Sequence, residues 1–131
     1  MSPEKQEVRK GPFARFIADG VRSGDVVTLS GQVSIDAKGA VVAPGDLVGQ
    51  TRQVYGLIGG ILSEFGATME NVVDEMWLVT DIADAMAKSR EMFALRGEVY
   101  GERAAVSQTM VQVGGLVMPE LLIEIKVIAR V

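Results

Sequence analysis

The stretch Ser107–Val131, SQTMVQVGGLVMPELLIEIKVIARV, decides the fold of this chain. It covers most of one strand-like run, about Ala104–Val113, and all of a second, Leu121–Val131, both rich in β-branched and aliphatic residues. The connection between them holds Gly114, Gly115 and Pro119, which are residue types that interrupt regular structure. The sequence therefore predicts that the chain ends in two strands.

Glu124 is the first candidate for a functional residue, because it lies inside the apolar run that ends the chain. Burying a carboxylate there costs free energy unless it finds partners or faces a wet cleft. On a strand it shares a face with Lys126, Ile128 and Arg130, so a solvated ion pair with Lys126 is the alternative interpretation.

The chain has no His and no Cys. It therefore lacks disulfides, thiolate nucleophiles, Ser-His-Asp and Cys-His arrangements and the commonest zinc ligands. A carboxylate-only magnesium site would need a clustered acidic motif, and the sequence contains none. We expect no metal and no cofactor, and the absence of Cys fits a cytoplasmic protein.

Size and hydrophobicity predict one domain that associates with copies of itself. The chain has 131 residues, 48% of them hydrophobic, and the mean hydropathy is +0.25. Its longest nearly apolar stretch, Val113–Ile123, is too short to span a membrane, and the polar N-terminus does not resemble a signal peptide. The apolar excess is therefore assigned to a subunit interface.

The net charge of −4 argues against a nucleic-acid partner, which requires a concentrated basic face. The small group Lys5, Arg9 and Lys10 lies in a segment, residues 1–12, that we expect to be a loosely held tail before a single domain over residues 13–131.

Within that domain, two short strands are predicted between Arg15 and Val33, followed by a helix over Asp46–Phe65 with Asp46 as N-cap. A strand over Val72–Thr80, with Val73, Trp77 and Val79 on one side, is followed by a second helix over Ile82–Tyr100. Its buried stripe is predicted to hold Ile82, Ala85, Met86, Ser89, Phe93 and Tyr100. The order ββαβαββ predicts an α+β fold: a single mixed sheet with two helices on one face, and the other face covered by subunit association.

Three segments together resemble the Rid (reactive intermediate deaminase) family, also called YjgF-like. They are GVRSGDVVTLSGQVSIDAKGAVV, then DLVGQTRQVYGLIGGIL with FGATMENVVDEMWLVTDI, and VQVGGLVMPELLIEIKVIA. The resemblance implies a chorismate-mutase-like homotrimer with small-molecule clefts between subunits. Members of the best-studied branch hydrolyse enamines and imines such as 2-aminoacrylate to 2-keto acids and ammonia.

The resemblance also implies roles for individual residues. Glu124, in Ile123-Glu124-Ile125, matches the glutamate linked to the hydrolytic water, and Gly31 matches the glycine of the SGQ segment that lines the cleft. Phe13 or Phe16 takes the place of an aromatic in the cleft. Gln108 occupies the position of the arginine that binds the substrate carboxylate, which is a departure from the family pattern.

The sequence thus favours an enamine or imine deaminase in which Glu124 activates water and Gln108 orients a larger or differently charged substrate. The alternative is a homotrimer of the same fold that binds a small metabolite without catalysis. Some family members have been described as ribonucleases, and the acidic charge and lack of His argue against that activity here.

Overall fold

The structure is a computed structural model that describes residues 4–131. Seven strands and three α-helices follow one another along these residues, with a 3₁₀ turn at Met69–Asn71. In chain order they are β1 (Lys5–Val8), β2 (Gly20–Ser23), β3 (Val26–Leu29), β4 (Gln32–Val33), α1 (Leu47–Glu64), β5 (Val72–Val79), α2 (Ile82–Ala87), α3 (Ser89–Tyr100), β6 (Ser107–Gln112) and β7 (Ile123–Arg130).

All seven strands belong to one mixed sheet. Its order is β1-β2-β3-β7-β5-β6, and β4 pairs with β7 beside the end of β3. The β5–β6 pair is parallel, and the other pairs are antiparallel. The last strand of the sequence therefore lies at the centre of the sheet, and the predicted α+β fold with a mixed sheet is confirmed.

Helix α1 begins and ends where the local sequence predicts. Asp46 caps its N-terminus by accepting a hydrogen bond from the Gly49 amide at 3.0 Å. At the other end Gly66 has φ 72°, a left-handed conformation that glycine adopts at little cost. These two local signals account for the close match to the predicted range.

The helices pack on one face of the sheet, as predicted. Every second residue of β7 is buried there, whereas Glu124, Lys126 and Ile128 between them lie on the opposite, helix-free face. The main core includes the β7 residues Ile123, Ile125, Val127 and Ala129, the α1 residues Val54, Tyr55, Ile58 and Leu62, Trp77 of β5, and the α3 residues Met92 and Leu95.

Two predicted elements differ in the structure. Within the segment expected to be a loose tail, Lys5–Val8 forms β1 and pairs with β2 at the edge of the sheet. The second helix is divided at Lys88 into α2 and α3. Met86 before the break and Phe93 after it are 54% and 43% exposed instead of buried, and Ala85, Met92 and Leu95 form the buried side.

The predicted orientation of the β5 side chains is wrong at the N-terminal end of the strand. An irregularity in the β5–β7 pairing lies between Val72 and Asp74 and leaves Val73 exposed instead of beside Trp77. Within residues 4–131 no helix has both the length and the hydropathy needed to cross a bilayer.

Candidate active site

Glu124 lies at the middle of the helix-free sheet face. The pairing places Val33 of β4 opposite it on one side and Leu78 of β5 on the other. Its side chain is half-buried, and no donor among residues 4–131 forms a hydrogen bond with its carboxylate. The carboxylate is thus held among apolar neighbours with its acceptor capacity unused.

The alternative interpretation of Glu124 as half of an ion pair with Lys126 is not what the structure shows. Lys126 Nζ instead donates a hydrogen bond to the carbonyl oxygen of Leu29. Burial raises the pKa of Glu124 above its ordinary value of 4.5, and the positive charge of Lys126 opposes that shift in part. The net direction is upward, which makes this carboxylate a better proton acceptor than an exposed one.

Gly31 lies against Glu124. A Cβ at this position would lie 2.7 Å from the Glu124 carboxyl carbon and 3.0 Å from its Cγ, so no larger residue fits without moving the carboxylate. The segment is held from both ends: Ser30 Oγ donates to the Ala18 carbonyl at 2.7 Å, and Gln32 Nε2 donates to the Ser30 carbonyl at 2.9 Å. The structure therefore brings together two of the residues that the sequence singled out.

A cavity of about 360 Å³ lies on the other side of this segment. Its walls are mainly apolar and include Phe13, Gly31, Leu57 and Ile61, while Glu124 is not among the residues that line it. Phe16 does not line it either; this side chain is 79% exposed, with the Arg15 guanidinium 5.6 Å from its ring. Of the two phenylalanines, the structure places Phe13 near Gly31.

Within one chain, the side chains of Gln108 and Glu124 lie on opposite faces of the sheet. Gln108 pairs with Glu75 across the β5–β6 ladder, and this pair lies on the helix side of the sheet. Gln108 Nε2 donates a hydrogen bond to Glu75 Oε2 at 2.9 Å. The expectation that both residues serve one site can therefore hold only if a second subunit contributes one of them.

Glu75 is a residue that the sequence reasoning missed. It is fully buried and accepts hydrogen bonds from Tyr55 Oη at 2.8 Å and Tyr100 Oη at 3.1 Å, and it forms an ion pair with Arg96. Burial and the neighbouring Glu75 charge raise the pKa of both tyrosine hydroxyls, which therefore stay protonated donors. The signal was available, because Glu75 interrupts an apolar strand just as Glu124 does.

The described residues offer little to a metal ion. Among residues 4–131, no three carboxylates come together in an arrangement that could hold one.

The whole chain can be compared with known proteins. The family model described as endoribonuclease L-PSP matches residues 7–131. The chain belongs to the Rid/YjgF family. It is 33% identical over 119 residues to the RutC family protein PH0854 of Pyrococcus horikoshii, covering 91% of this chain and 86% of that protein. It is 32% identical over 120 residues to the 3-aminoacrylate deaminase RutC of Acinetobacter baylyi, covering 92% and 90%.

Solved structures of the Rid/YjgF family have the same fold. Rv2704 of Mycobacterium tuberculosis, a member of the YjgF/YER057c/UK114 family, is 28% identical with a TM-score of 0.80, over 98% of this chain and 100% of that one. The Rid family protein YyfA of Yersinia pestis is 25% identical with a TM-score of 0.83, also over 98% and 100%. The family assignment made from the sequence is confirmed.

Proposed function

We propose that this protein is an enamine and imine deaminase and that Glu124 is its general base. The observation that carries the proposal is the state of this carboxylate: half-buried, without a hydrogen-bond donor among residues 4–131, and with a raised pKa. Membership of the Rid/YjgF family and the 32% identity to a 3-aminoacrylate deaminase support the reaction class.

The proposed reaction is hydrolysis of a C=N bond. An enamine substrate first tautomerises to the imine, which reacts in its protonated form: water attacks the iminium carbon while Glu124 accepts a proton from that water, giving a neutral carbinolamine. Glu124 then returns this proton to the carbinolamine nitrogen, the C–N bond breaks as the hydroxyl proton passes to the departing ammonia, and a carbonyl compound and ammonium leave. Partial burial keeps the carboxylate basic enough for this role, and association of subunits over this face would exclude bulk water.

We propose further that the substrate cleft lies between subunits of a homotrimer. The helix-free sheet face carries apolar residues that no helix covers: Val21, Val26, Met76, Leu78, Val111 and Ile128. Association over this face would bury them and enclose Glu124, and Gln108, which lies on the edge strand β6, would approach the Glu124 of another subunit at the rim of that interface. Native mass spectrometry tests the trimer, and a monomer at micromolar concentration would contradict it.

The test of the reaction is ammonia release from 2-aminoacrylate and 2-aminomuconate generated in situ, with wild type compared to Glu124→Gln. We expect acceleration over the spontaneous rate in the wild type and a loss of at least about 100-fold in the variant. Glu120→Gln is the matched control, because Glu120 is an exposed carboxylate four residues away. Equal rates in wild type and Glu124→Gln would remove Glu124 from the mechanism.

A second candidate function is binding of a small metabolite without turnover. It is favoured by the cavity beside Phe13 and Gly31, which the Glu124 carboxylate does not line. In that case wild type would release no ammonia above background, and Glu124→Gln would change ligand preference only.

A further inference from the structure

The orientation of the Gln108 amide is fixed by its neighbours. Its nitrogen donates to Glu75 Oε2 at 2.9 Å, and an ionised carboxylate can only accept hydrogen bonds. The reverse orientation would place the amide oxygen against the carboxylate, two acceptors in contact with no proton between them. The hydrogen-bond network therefore assigns nitrogen to the Glu75 side of the side chain.

Glu75 cannot easily release this amide. Its two carboxylate oxygens accept from Tyr55, Tyr100, Arg96 and Gln108, and the residue is fully buried. Arg96 is equally committed, because it also donates to the Val106 carbonyl at 3.1 Å and its guanidinium lies 5.2 Å from the Tyr100 ring centre. The cluster is thus neutral overall and has no spare cation for a substrate carboxylate.

The consequence is that Gln108 presents its Oε1 acceptor, beside the one Nε2 hydrogen that Glu75 does not take, to its surroundings. Its side chain is half-buried on β6, which is the edge strand of the sheet. No donor among residues 4–131 bonds to its Oε1, and no buried polar side-chain atom of these residues lacks a partner, so Oε1 is accessible. At the position where the family resemblance places a cationic donor, this chain presents a neutral amide with a carbonyl oxygen and one remaining N–H.

We infer that Glu75 is a specificity-determining positioning residue that orients Gln108 Oε1 as an acceptor for the substrate. The substrate class is then an enamine or imine that carries an N–H or O–H donor, such as a carboxamide, where other substrates of this reaction carry a carboxylate. This inference rests on the proposed function, in which Gln108 reaches the substrate from a neighbouring subunit. A carboxylate at that position could accept only from the remaining Nε2 hydrogen and would leave Gln108 Oε1 without a donor, whereas a carboxamide can pair with both groups.

The test uses a matched pair of imines. N-chloroalanine and N-chloroalaninamide each lose HCl in base, with the Cα proton and the chloride leaving, to give 2-iminopropanoate and 2-iminopropanamide. Release of pyruvate or pyruvamide above the spontaneous rate gives kcat/KM for each imine; ammonia is not used because N-chloroalanine also loses CO2 and chloride to give acetaldimine, which releases ammonia as well. We expect wild type to favour the amide by about tenfold or more, the effect of about one hydrogen bond.

The variants are Gln108→Met, which keeps the length of the side chain and removes the amide, and Glu75→Gln, which removes the group that orients it. Both should bring the amide-to-carboxylate ratio close to one. Lost stability would lower the two rates together and leave their ratio unchanged, so the ratio separates positioning from folding. Gln6→Met, on the exposed edge strand β1, is the control and should keep the wild-type ratio.

The outcomes separate this inference from the proposed function. The inference is overturned if the wild-type amide-to-carboxylate ratio of kcat/KM is one or less, or if Gln108→Met leaves this ratio unchanged. The proposed deaminase activity still stands in that case if hydrolysis is accelerated and depends on Glu124. If the protein accelerates the hydrolysis of neither imine, the proposed deaminase activity is rejected. Protein NMR then tests the inference by measuring how the two carbonyl products bind. Gln108-dependent binding of pyruvamide over pyruvate supports it, and equal or absent binding overturns it.

Discussion

Two carboxylates on paired strands of one sheet have opposite surroundings. Glu75 of β5 faces the helices, is fully buried and accepts four hydrogen bonds or ion-pair contacts. Glu124 of β7 faces away from the helices, is half-buried and has no hydrogen-bond donor among residues 4–131. A satisfied carboxylate has its lone pairs occupied and joins elements together, whereas an unsatisfied one is available to accept a proton. The same residue type therefore supports stability in one place and chemistry in the other.

Replacing each glutamate by alanine should separate these roles most strongly. Glu75→Ala leaves Arg96 without its partner in a largely buried position, and we expect it to lower the free energy of unfolding by about 3–5 kcal/mol. Glu124→Ala should change it by less than about 1 kcal/mol. Urea unfolding at pH 7 measures both.

Glu98→Ala is the control for the first change, because its contact with Arg52 at 3.4 Å is exposed and contributes about 0–1 kcal/mol. A similar loss of stability in Glu75→Ala and Glu124→Ala would contradict the division of roles.

Gly31→Ala tests whether the position of Glu124 matters for its role. The new Cβ would displace the carboxylate, so we expect activity to fall by about 10- to 100-fold while the fold is retained. Ammonia release measures the first, and circular dichroism the second.

Gly59→Ala is the matched control for that change. A Cβ at Gly59 meets only Met69 Sδ, at 4.0 Å, and the substitution inside α1 should raise stability by about 1 kcal/mol without affecting the rate. If Gly31→Ala is as active as Gly59→Ala, the contact between Gly31 and Glu124 does not matter for activity.

Local signals allowed much of the fold to be predicted from the sequence. Helix α1 was predicted over Asp46–Phe65 and lies at Leu47–Glu64, because its cap and its left-handed terminus depend on adjacent residues. Strand β1 was missed, since Lys5–Val8 is polar, exposed and recognisable only through its pairing with β2. The break at Lys88 was missed because no glycine or proline marks it.

The candidate site was predictable only in part. Its glutamate and glycine were named from the sequence, and the structure brings Glu124 and Gly31 into contact. The partner of Gln108 was not named, because Glu75 lies 33 positions earlier and reaches it only after β5 and β6 pair in parallel. Contacts between subunits, on which the proposed cleft depends, leave no local pattern in one chain.

The pH dependence of turnover sharpens the comparison on the Glu124 side. A general base must be ionised, so the rate should fall as the pH drops through the pKa of Glu124. Burial raises this pKa, and the acidic limb of the pH–rate profile should therefore lie above the ordinary value of 4.5. Lys126→Met removes the one charge that lowers the Glu124 pKa and should move the limb to higher pH. Lys88→Met, on a distant and exposed cation, should leave it in place. A limb that does not respond to Lys126→Met would belong to another group.

The smallest expected effect is on stability, and its sign is set by the direction of the pKa shift. Because the folded protein holds the Glu124 proton more tightly than the unfolded chain, ionisation of this group works against folding. Its cost is therefore absent at pH values below the unfolded pKa and is fully present above the raised folded one. Glu124→Gln, which mimics the protonated form, should stabilise the protein by about 0.5 kcal/mol at pH 7 and lose this advantage as the pH is lowered through the folded pKa. Urea unfolding of both proteins at pH 7 and pH 4 measures the difference. A destabilised Glu124→Gln at pH 7 would mean that the carboxylate has partners in the assembled protein, and Glu124 would then resemble Glu75 instead of differing from it.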